Sequence, residues 1–187
     1  RFGVGRDEAG TGYALEVGGN LLVTNGGVLT VYGGTTNGAA DAWGARVAVT
    51  GDLVVAAGSW VEPVAHRWDG GAPFFRVNTL RVDAGGGINA NNRGFAPRSG
   101  PGRGIDSSAG AGGGGHGGKG GRGTSVAAFG GPAHGVTNGP LAAGSGGGSY
   151  PRADYALRGG GGGGTIRIDA GDRIRVDGVL WADGGMG

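Results

Sequence analysis

Glycine pairs separate single charged residues at a spacing of three in the run Gly115-His-Gly-Gly-Lys-Gly-Gly-Arg-Gly123. An α-helix repeats every 3.6 residues and a β-strand every two, so neither element explains this spacing. The polyproline II helix repeats every three residues and has no internal hydrogen bonds, so its backbone groups need partners on neighbouring segments. Glycine on two of the three edges lets such neighbours approach closely. The run therefore predicts one rod, over 110–123, of a polyglycine II bundle.

Glycine supplies 52 of the 187 residues, about four times its usual share of roughly 7%. Such a composition is typical of disordered chains. Here, however, the glycines are phased, and the apolar residues outside 96–163 form short β-branched runs. Because glycine loses the most conformational entropy on ordering, an ordered glycine-rich segment requires dense backbone hydrogen bonding, and we expect that bonding here.

Four segments share one pattern of a polar turn, a short alternating strand, a glycine corner and a second short strand. They span residues 19–31, 51–61, 78–90 and 171–183, and the first three begin 32 and 27 residues apart. A repeat of 20–50 residues without helical periodicity is typical of solenoids. We therefore predict an all-β parallel β-helix, with coils over 1–95, a polyglycine II insert over 96–163 and a closing coil over 164–187.

A β-sandwich with a glycine-rich insert is the alternative fold. It requires strands joined by antiparallel hairpins. The dipeptides Asn25-Gly26 and Asn37-Gly38 are typical of two-residue hairpin turns, so they favour this alternative.

The β-helix interpretation assigns each strand residue to the core or to the outer surface. Leu80 and Val82 would point inward, while their neighbours would point outward. An outer ladder of Arg and Asp would follow, in which each exposed pair contributes about 0–1 kcal/mol. Its predicted members are Arg81, Asp83, Arg167, Asp169, Arg175 and Asp177.

Residues 159–184 contain a glycine-rich run, then Gly-Gly-Thr-Ile-Arg-Ile, then Val-Asp-Gly-Val-Leu, and residues 79–94 contain the upstream partner of this pattern. The pattern resembles glycine-rich secreted β-helix proteins of bacteria, in which it closes a coil. The polyglycine run is also similar to the polyglycine sandwich of some phage tail-fibre adhesins. The resemblance implies an extracellular or cell-surface role in adhesion, matrix building or filament formation, and it implies no catalytic residues.

Charge and composition exclude several partner classes. The net charge is only +2 and the arginines are dispersed among aspartates, whereas nucleic-acid binding needs a clustered basic stripe or stacking aromatics. No apolar run approaches the roughly 20 residues of a membrane span. The chain has no cysteine, which excludes thiolate metal sites. We expect no metal or other cofactor, and calcium held by stacked Asp side chains is the one alternative.

Four residues are candidate contacts to a ligand or partner. One rod edge would carry His116, Lys119 and Arg122, with about 9 Å between successive residues, from roughly 3.1 Å per residue. A neighbour or an anionic glycan would meet them there. Trp68 lies in a polar loop and is the candidate for stacking on a sugar. Two other tryptophans, Trp60 and Trp181, fall in strands and are expected to be core residues or to stack between coils.

The main functional prediction is an extracellular structural protein. Uncapped β-helix ends present unpaired strand edges, so we expect a scaffold, adhesin or filament segment whose coils stack end to end with further coils of the same chain or of another subunit. The alternatives are a glycan-binding module and a carbohydrate-active β-helix enzyme. Such an enzyme would need two carboxylates roughly 5–10 Å apart, from Asp83, Asp169 and Asp177. No catalytic residue is predicted, because each of these Asp residues ends a strand where turn chemistry favours it.

Overall fold

The computed structural model describes residues 13–36, 43–124, 127–135, 142–151 and 156–187. This part of the chain is all-β and contains no helix, which confirms the predicted class. The strands are β1 (Tyr13–Val17), β2 (Leu21–Val23), β3 (Val28–Tyr32), β4 (Ala45–Val55), β5 (Trp60–Val64), β6 (Pro73–Val82), β7 (Gly87–Asn89), β8 (Tyr150–Pro151), β9 (Ala156–Leu157), β10 (Arg167–Val176) and β11 (Val179–Trp181).

Two parallel sheets form the body of the molecule. Sheet A has the order β1-β4-β6-β10, with β2 also paired to β4, and sheet B has the order β3-β5-β7-β11. All pairings within both sheets are parallel. The chain therefore passes from sheet A to sheet B four times. We number these passes 1 (β1–β3), 2 (β4 and β5), 3 (β6 and β7) and 4 (β10 and β11).

The register between passes follows the sequence repeats. In sheet B, Val28 pairs with Trp60, and Trp60 pairs with Gly87, which are the same 32- and 27-residue offsets that separate the repeats. Gly87 pairs in turn with Val179, although the glycine-rich residues 96–163 intervene. The repeated segments thus lie above one another, strand on strand.

The Asn25-Gly26 dipeptide, which favoured the β-sandwich, does not form a β-hairpin turn. The Asn25-Gly26 turn joins β2 of sheet A to β3 of sheet B, so the two strands that it connects are not paired with each other. Asn37-Gly38 lies outside the described residues. Within the described part of the chain, antiparallel pairing is limited to β8 with β9 and to one bridge between His116 and Gly118.

The core lies between the two sheets and is built from side chains that stack from pass to pass. Alternation along β6 buries Phe75 and Val77 around the exposed Arg76, and it buries Leu80 and Val82 around the exposed Arg81, because successive side chains of a strand point to opposite faces. The phase of the alternation shifts by one residue between Val77 and Leu80, where the pairing with β4 also shifts in register. Within each sheet, buried side chains of neighbouring passes lie next to one another: Leu53 beside Leu80, Val55 beside Val82 and Val61 beside Ile88.

The glycine-rich part consists of extended segments that hydrogen-bond to one another rather than within themselves. Pairs of N–H groups three residues apart bond to carbonyls three residues apart on a single neighbour, at 2.7–3.1 Å. Hydrogen bonds to one neighbouring segment therefore recur every three residues, which is the spacing seen in the sequence and the repeat of a polyproline II helix. The donor pairs and their acceptors are Phe95 and Arg98 to Gly144 and Gly147, Gly144 and Gly147 to Gly163 and Gly160, Gly112 and Gly115 to Ile105 and Gly102, and Gly120 and Gly123 to Gly131 and Ala128.

The prediction of one rod over 110–123 is wrong, because the run folds back on itself. The Gly113 N–H donates to the Gly121 carbonyl at 2.8 Å, and His116 and Gly118 bond to each other across the turn. Gly117, between them, has a φ of 60°, a left-handed conformation that glycine adopts without steric cost. The run therefore forms two antiparallel arms.

Glycine bonding also extends beyond the range 96–163. The Gly94 N–H donates to the Gly162 carbonyl at 2.8 Å, and the Gly185 N–H donates to the Gly161 carbonyl at 2.8 Å. The chain that follows β7 and the chain that follows β11 are therefore joined to the glycine-rich segments.

Two glycine substitutions test this packing. A Cβ on Gly131 would overlap the Gly102 carbonyl oxygen, whereas a Cβ on Gly121 would have no atom within 4 Å, and neither residue has a positive φ. We expect Gly131→Ala to lower the free energy of unfolding by about 1–3 kcal/mol through overpacking. Gly121→Ala should be neutral or stabilise by up to about 1 kcal/mol. Equal guanidinium midpoints for the two variants would contradict the packing described.

Candidate functional site

Pass 4 exposes apolar side chains at one end of the core. Ile174 is 54% exposed, Val176 37% and Leu180 46%. We call these three side chains, together with the backbone edges of β10 and β11, the terminal face.

The exposed side chains occupy core positions. By strand register they lie next to Leu80, Val82 and Ile88 of pass 3, which are all less than 2% exposed. The same position thus changes from buried to exposed between pass 3 and pass 4, because no described strand covers pass 4. The three residues that continue these stacks are Ile174, Val176 and Leu180.

The terminal face also presents unpaired backbone. Strands β10 and β11 are each last in their sheet, and an edge strand offers a row of free N–H and C=O groups to a further strand. At the opposite end of the sheets the inward-pointing Val23 and Val31 of pass 1 are buried. The two ends of the core therefore differ.

The predicted ladder residues lie on the outer surface. Two of the ion pairs that they form join an arginine to the aspartate two residues later in the same pass, and a third links Asp169 of pass 4 to Arg76 of pass 3. The pairs are Arg81–Asp83 at 3.0 Å, Arg175–Asp177 at 2.7 Å and Arg76–Asp169 at 3.6 Å, and the Arg167 guanidinium lies 4.3 Å from the ring centroid of Phe74. The prediction that the chain is not an enzyme stays a prediction.

Trp60 and Trp181 stack across the outer face of sheet B. Their ring centroids are 5.2 Å apart, with 27° between the ring planes, although Trp60 belongs to pass 2 and Trp181 to pass 4. The Trp60 ring lies over its register partner Gly87, where a Cβ would overlap it. The absence of a side chain at Gly87 lets the ring extend toward pass 4, where it meets Trp181, the register partner of Asn89. No motif or repeat in the sequence distinguishes Gly87 from the neighbouring glycines.

Trp68 is 62% exposed and is held on a hydrogen-bonded turn. The Gly70 N–H donates to the His66 carbonyl at 2.7 Å, and the Asp69 N–H donates to the His66 Nδ1 at 3.1 Å. The Arg67 guanidinium lies 5.0 Å from the Trp68 ring centroid. An open groove of about 520 Å³ beside the turn is lined by Trp68 and by residues from three passes.

The three basic candidates do not follow one straight rod. His116 lies in the turn, and its ring meets that of His134 edge to face at 4.9 Å between centroids. Lys119 and Arg122 follow on the returning arm, where the Arg122 guanidinium lies 4.7 Å from the Phe129 ring centroid. The three residues do not share one edge because the chain reverses direction at Gly117.

His134 and Ser145 form a partly buried polar contact that the sequence did not indicate. The Ser145 hydroxyl and the His134 Nε2 are 2.8 Å apart, and the Gly102 N–H donates to the Ser145 hydroxyl at 2.9 Å. Burial lowers the pKa of His134, and the charge of nearby His116 lowers it further, against the opposing effect of a hydrogen bond to the Gly115 backbone. The two residues are far from any recognisable motif, so only the packing of the segments reveals them.

Asp106 joins two of the glycine-rich segments. Burial alone would raise the pKa of Asp106, but the hydrogen bond from the Ser149 N–H at 2.8 Å and the Arg98 guanidinium at 2.6 Å hold it below the usual value. The charged carboxylate is therefore the form that stabilises this junction.

No group of three or more His, Asp or Glu side chains that could hold a metal ion occurs among the described residues. In the same residues, no helix is long and apolar enough to cross a membrane. Comparisons of the chain with models of protein families, with curated proteins and with solved structures gave no match.

Acidification should loosen the segments around His134. Because the folded state holds the pKa of this imidazole below its ordinary value of about 6.5, the unfolded state binds more protons. The stabilisation that the neutral His134 imidazole provides is complete above about pH 6.5 and is lost as the pH falls through the pKa of the folded state. We expect the Gly102 amide, corrected for intrinsic exchange, to lose protection from deuterium exchange between about pH 7.5 and pH 5.5.

The variant His134→Gln should abolish this pH dependence because it removes the titrating group. The variant His66→Gln, in the Trp68 turn, serves as the control and should retain the dependence. Protection of the Gly102 amide that is the same at both pH values in the unmodified chain would contradict the prediction.

Proposed function

We propose that this chain is a structural protein, a segment of an extracellular scaffold, adhesin or filament, that assembles end to end. The four passes are then coils of a parallel β-helix, over 1–95 and 164–187, and the residues 96–163 are a polyglycine II bundle inserted between them. Parallel register with repeat-length offsets supports the first part. The period-three pairs of hydrogen bonds support the second. The extracellular location rests on the resemblance of residues 159–184 to secreted proteins.

The terminal face is the observation that carries the proposal. Its three apolar side chains continue the stacks of the core and are exposed. Fully burying a side chain of this kind contributes about 1.5–3 kcal/mol. A further coil seated on Ile174, Val176 and Leu180 would bury them as Leu80, Val82 and Ile88 are buried in pass 3.

The backbone at the terminal face favours the same kind of partner. Strands β10 and β11 are edges of parallel sheets, and a coil of the same fold would pair with both edges at once. Contact between two different ends of identical molecules is a head-to-tail contact, which produces an open filament where successive copies do not close into a ring. The same surface would serve for further coils of a longer chain.

Charged substitutions on the terminal face test the assembly. We expect the unmodified chain to form larger species as its concentration rises, visible by sedimentation and electron microscopy. The double variant Ile174→Asp/Leu180→Asp should remain monomeric because a second coil would bury two unpaired carboxylates. Its thermal midpoint should change little, since both side chains are already exposed in the single chain.

The variant Arg173→Asp is the matched control. Its side chain is 72% exposed beside Ile174 in the same strand, but it does not occupy a core position, so assembly should persist. An unmodified chain that stays a compact monomer at high concentration would contradict end-to-end assembly.

Glycan recognition is a second candidate function, favoured by the Trp68 turn. An exposed indole on a hydrogen-bonded turn presents a flat apolar face, beside a groove that Tyr32, Asn92 and Arg93 also line. Sites for small ligands combine such apolar surface with a few polar groups that fix orientation. Arg67 favours a carboxylated sugar, because guanidinium groups bind carboxylates through two hydrogen bonds, whereas the Arg93 guanidinium is already paired with the Glu62 carboxylate.

Trp68→Ala tests this second function. On an array of uronate-containing glycans, we expect the variant to lose at least about tenfold in affinity, equivalent to about 1.4 kcal/mol, because the stacking face is gone. The control is Phe129→Ala, which removes another exposed aromatic ring outside the groove. Equal binding by both variants and by the unmodified chain would exclude the Trp68 groove as the glycan site.

A further inference from the structure

An open groove of about 940 Å³ runs between the glycine-rich segments on the side of pass 4. It is lined by 110–116, 144–148, 159–166 and 182–187, in which most residues are glycine, so its walls are largely backbone. We call it the glycine groove. A ligand there would meet N–H and C=O groups rather than side chains.

One wall of the glycine groove presents N–H groups that bond to nothing within the described residues. In the segment 159–164, the Gly162 and Gly164 N–H groups donate to backbone carbonyls, and the Gly159 N–H donates to the Ser149 hydroxyl. The N–H groups of Gly160, Gly161 and Gly163 make no such bond, and Gly160 and Gly163 are three residues apart. A Cβ placed on Gly147 would lie 3.7 Å from the Gly160 nitrogen, so that nitrogen faces the segment 144–148 across the groove floor.

The opposite wall repeats this arrangement. Gly112 and Gly113 donate to other segments, at 3.0 Å and 2.8 Å. The N–H groups of Ala111 and Gly114, again three residues apart, have no backbone partner among the described residues. Another polar group of the lining, the Thr165 hydroxyl, is buried and has no hydrogen-bond partner among the described residues.

We propose that the glycine groove is a vacant position for one more extended glycine-rich segment, supplied by a second copy of this chain. Elsewhere in the molecule, N–H groups three residues apart bond to a single neighbouring segment. Two such pairs line the groove without that neighbour. An extended segment with a threefold repeat is the ligand that matches donors at this spacing.

We infer that the occupant is a second copy from the position of the groove, and this step rests on the proposed function. Ile166 and Ala182 line the groove and directly adjoin β10 and β11. The groove is therefore continuous with the terminal face. A copy seated on that face would bring its own glycine-rich segments alongside, and those segments carry the glycine edges that close backbone approach requires.

The groove can be blocked without disturbing the fold. A Cβ on Gly147 would lie 3.7 Å from both the Gly112 carbonyl oxygen and the Gly160 nitrogen, which is ordinary van der Waals contact. Those atoms belong to opposite walls, so Gly147→Ala narrows the groove between them. Gly121→Ala, with no atom within 4 Å of its Cβ and outside the groove, is the matched control.

The probe is a synthetic peptide with the sequence of residues 143–149, Ala-Gly-Ser-Gly-Gly-Gly-Ser, titrated into the monomeric Ile174→Asp/Leu180→Asp variant. We expect saturable chemical-shift changes at the Gly160 and Gly163 amides. Adding Gly147→Ala should weaken binding at least about tenfold, and adding Gly121→Ala should not. A peptide with alanine in place of its glycines should not bind.

The outcomes separate this inference from the proposed function. No shift at either amide, or equal binding of the alanine peptide, overturns the vacant position even if the unmodified chain assembles. Peptide binding combined with an unmodified chain that stays monomeric overturns the second copy as occupant and, with it, end-to-end assembly. Peptide binding together with assembly that Gly147→Ala weakens and Gly121→Ala does not supports the whole inference.

Discussion

Backbone hydrogen bonding to a neighbouring layer is the interaction on which the whole structure depends. Neither a parallel strand nor an extended glycine segment satisfies its own N–H and C=O groups, so each must bond to the segment laid down before or after it. In the sheets the neighbours are successive passes, and in the glycine-rich part they are segments far apart in sequence. The outermost layer is then left with unused groups, which is why both proposed contacts lie at pass 4.

Glycine makes this layered bonding feasible in the second half of the molecule. Segments there approach so closely that a Cβ at Gly131 or Gly162 would overlap a carbonyl of the next segment. The entropic cost of ordering so much glycine is high, and the dense network of backbone bonds offsets it. Where glycine has open space, as at Gly121, the chain lies at the surface of the network.

Several features were predictable because they depend on local patterns. The offsets of 32 and 27 residues between repeats reappear as strand register, and the alternation around Leu80 and Val82 correctly separates the core from the surface. The exposure of Trp68 followed from its polar neighbours. The straight rod over 110–123 was wrong, since a repeat of three does not reveal the reversal at Gly117, where one left-handed φ turns the chain.

The period of each part follows from the amino-acid sequence alone, because side-chain spacing fixes which residues point to a core and which segments must find partners elsewhere. The identity of those partners was established by the packing of the folded chain. The contact of His134 with Ser145, the passage of Trp60 over Gly87 and the unbonded N–H groups of the glycine groove all join residues whose positions depend on the folding of the intervening chain. Backbone groups are alike at every residue, so nothing in their chemistry specifies a partner until packing brings one within reach.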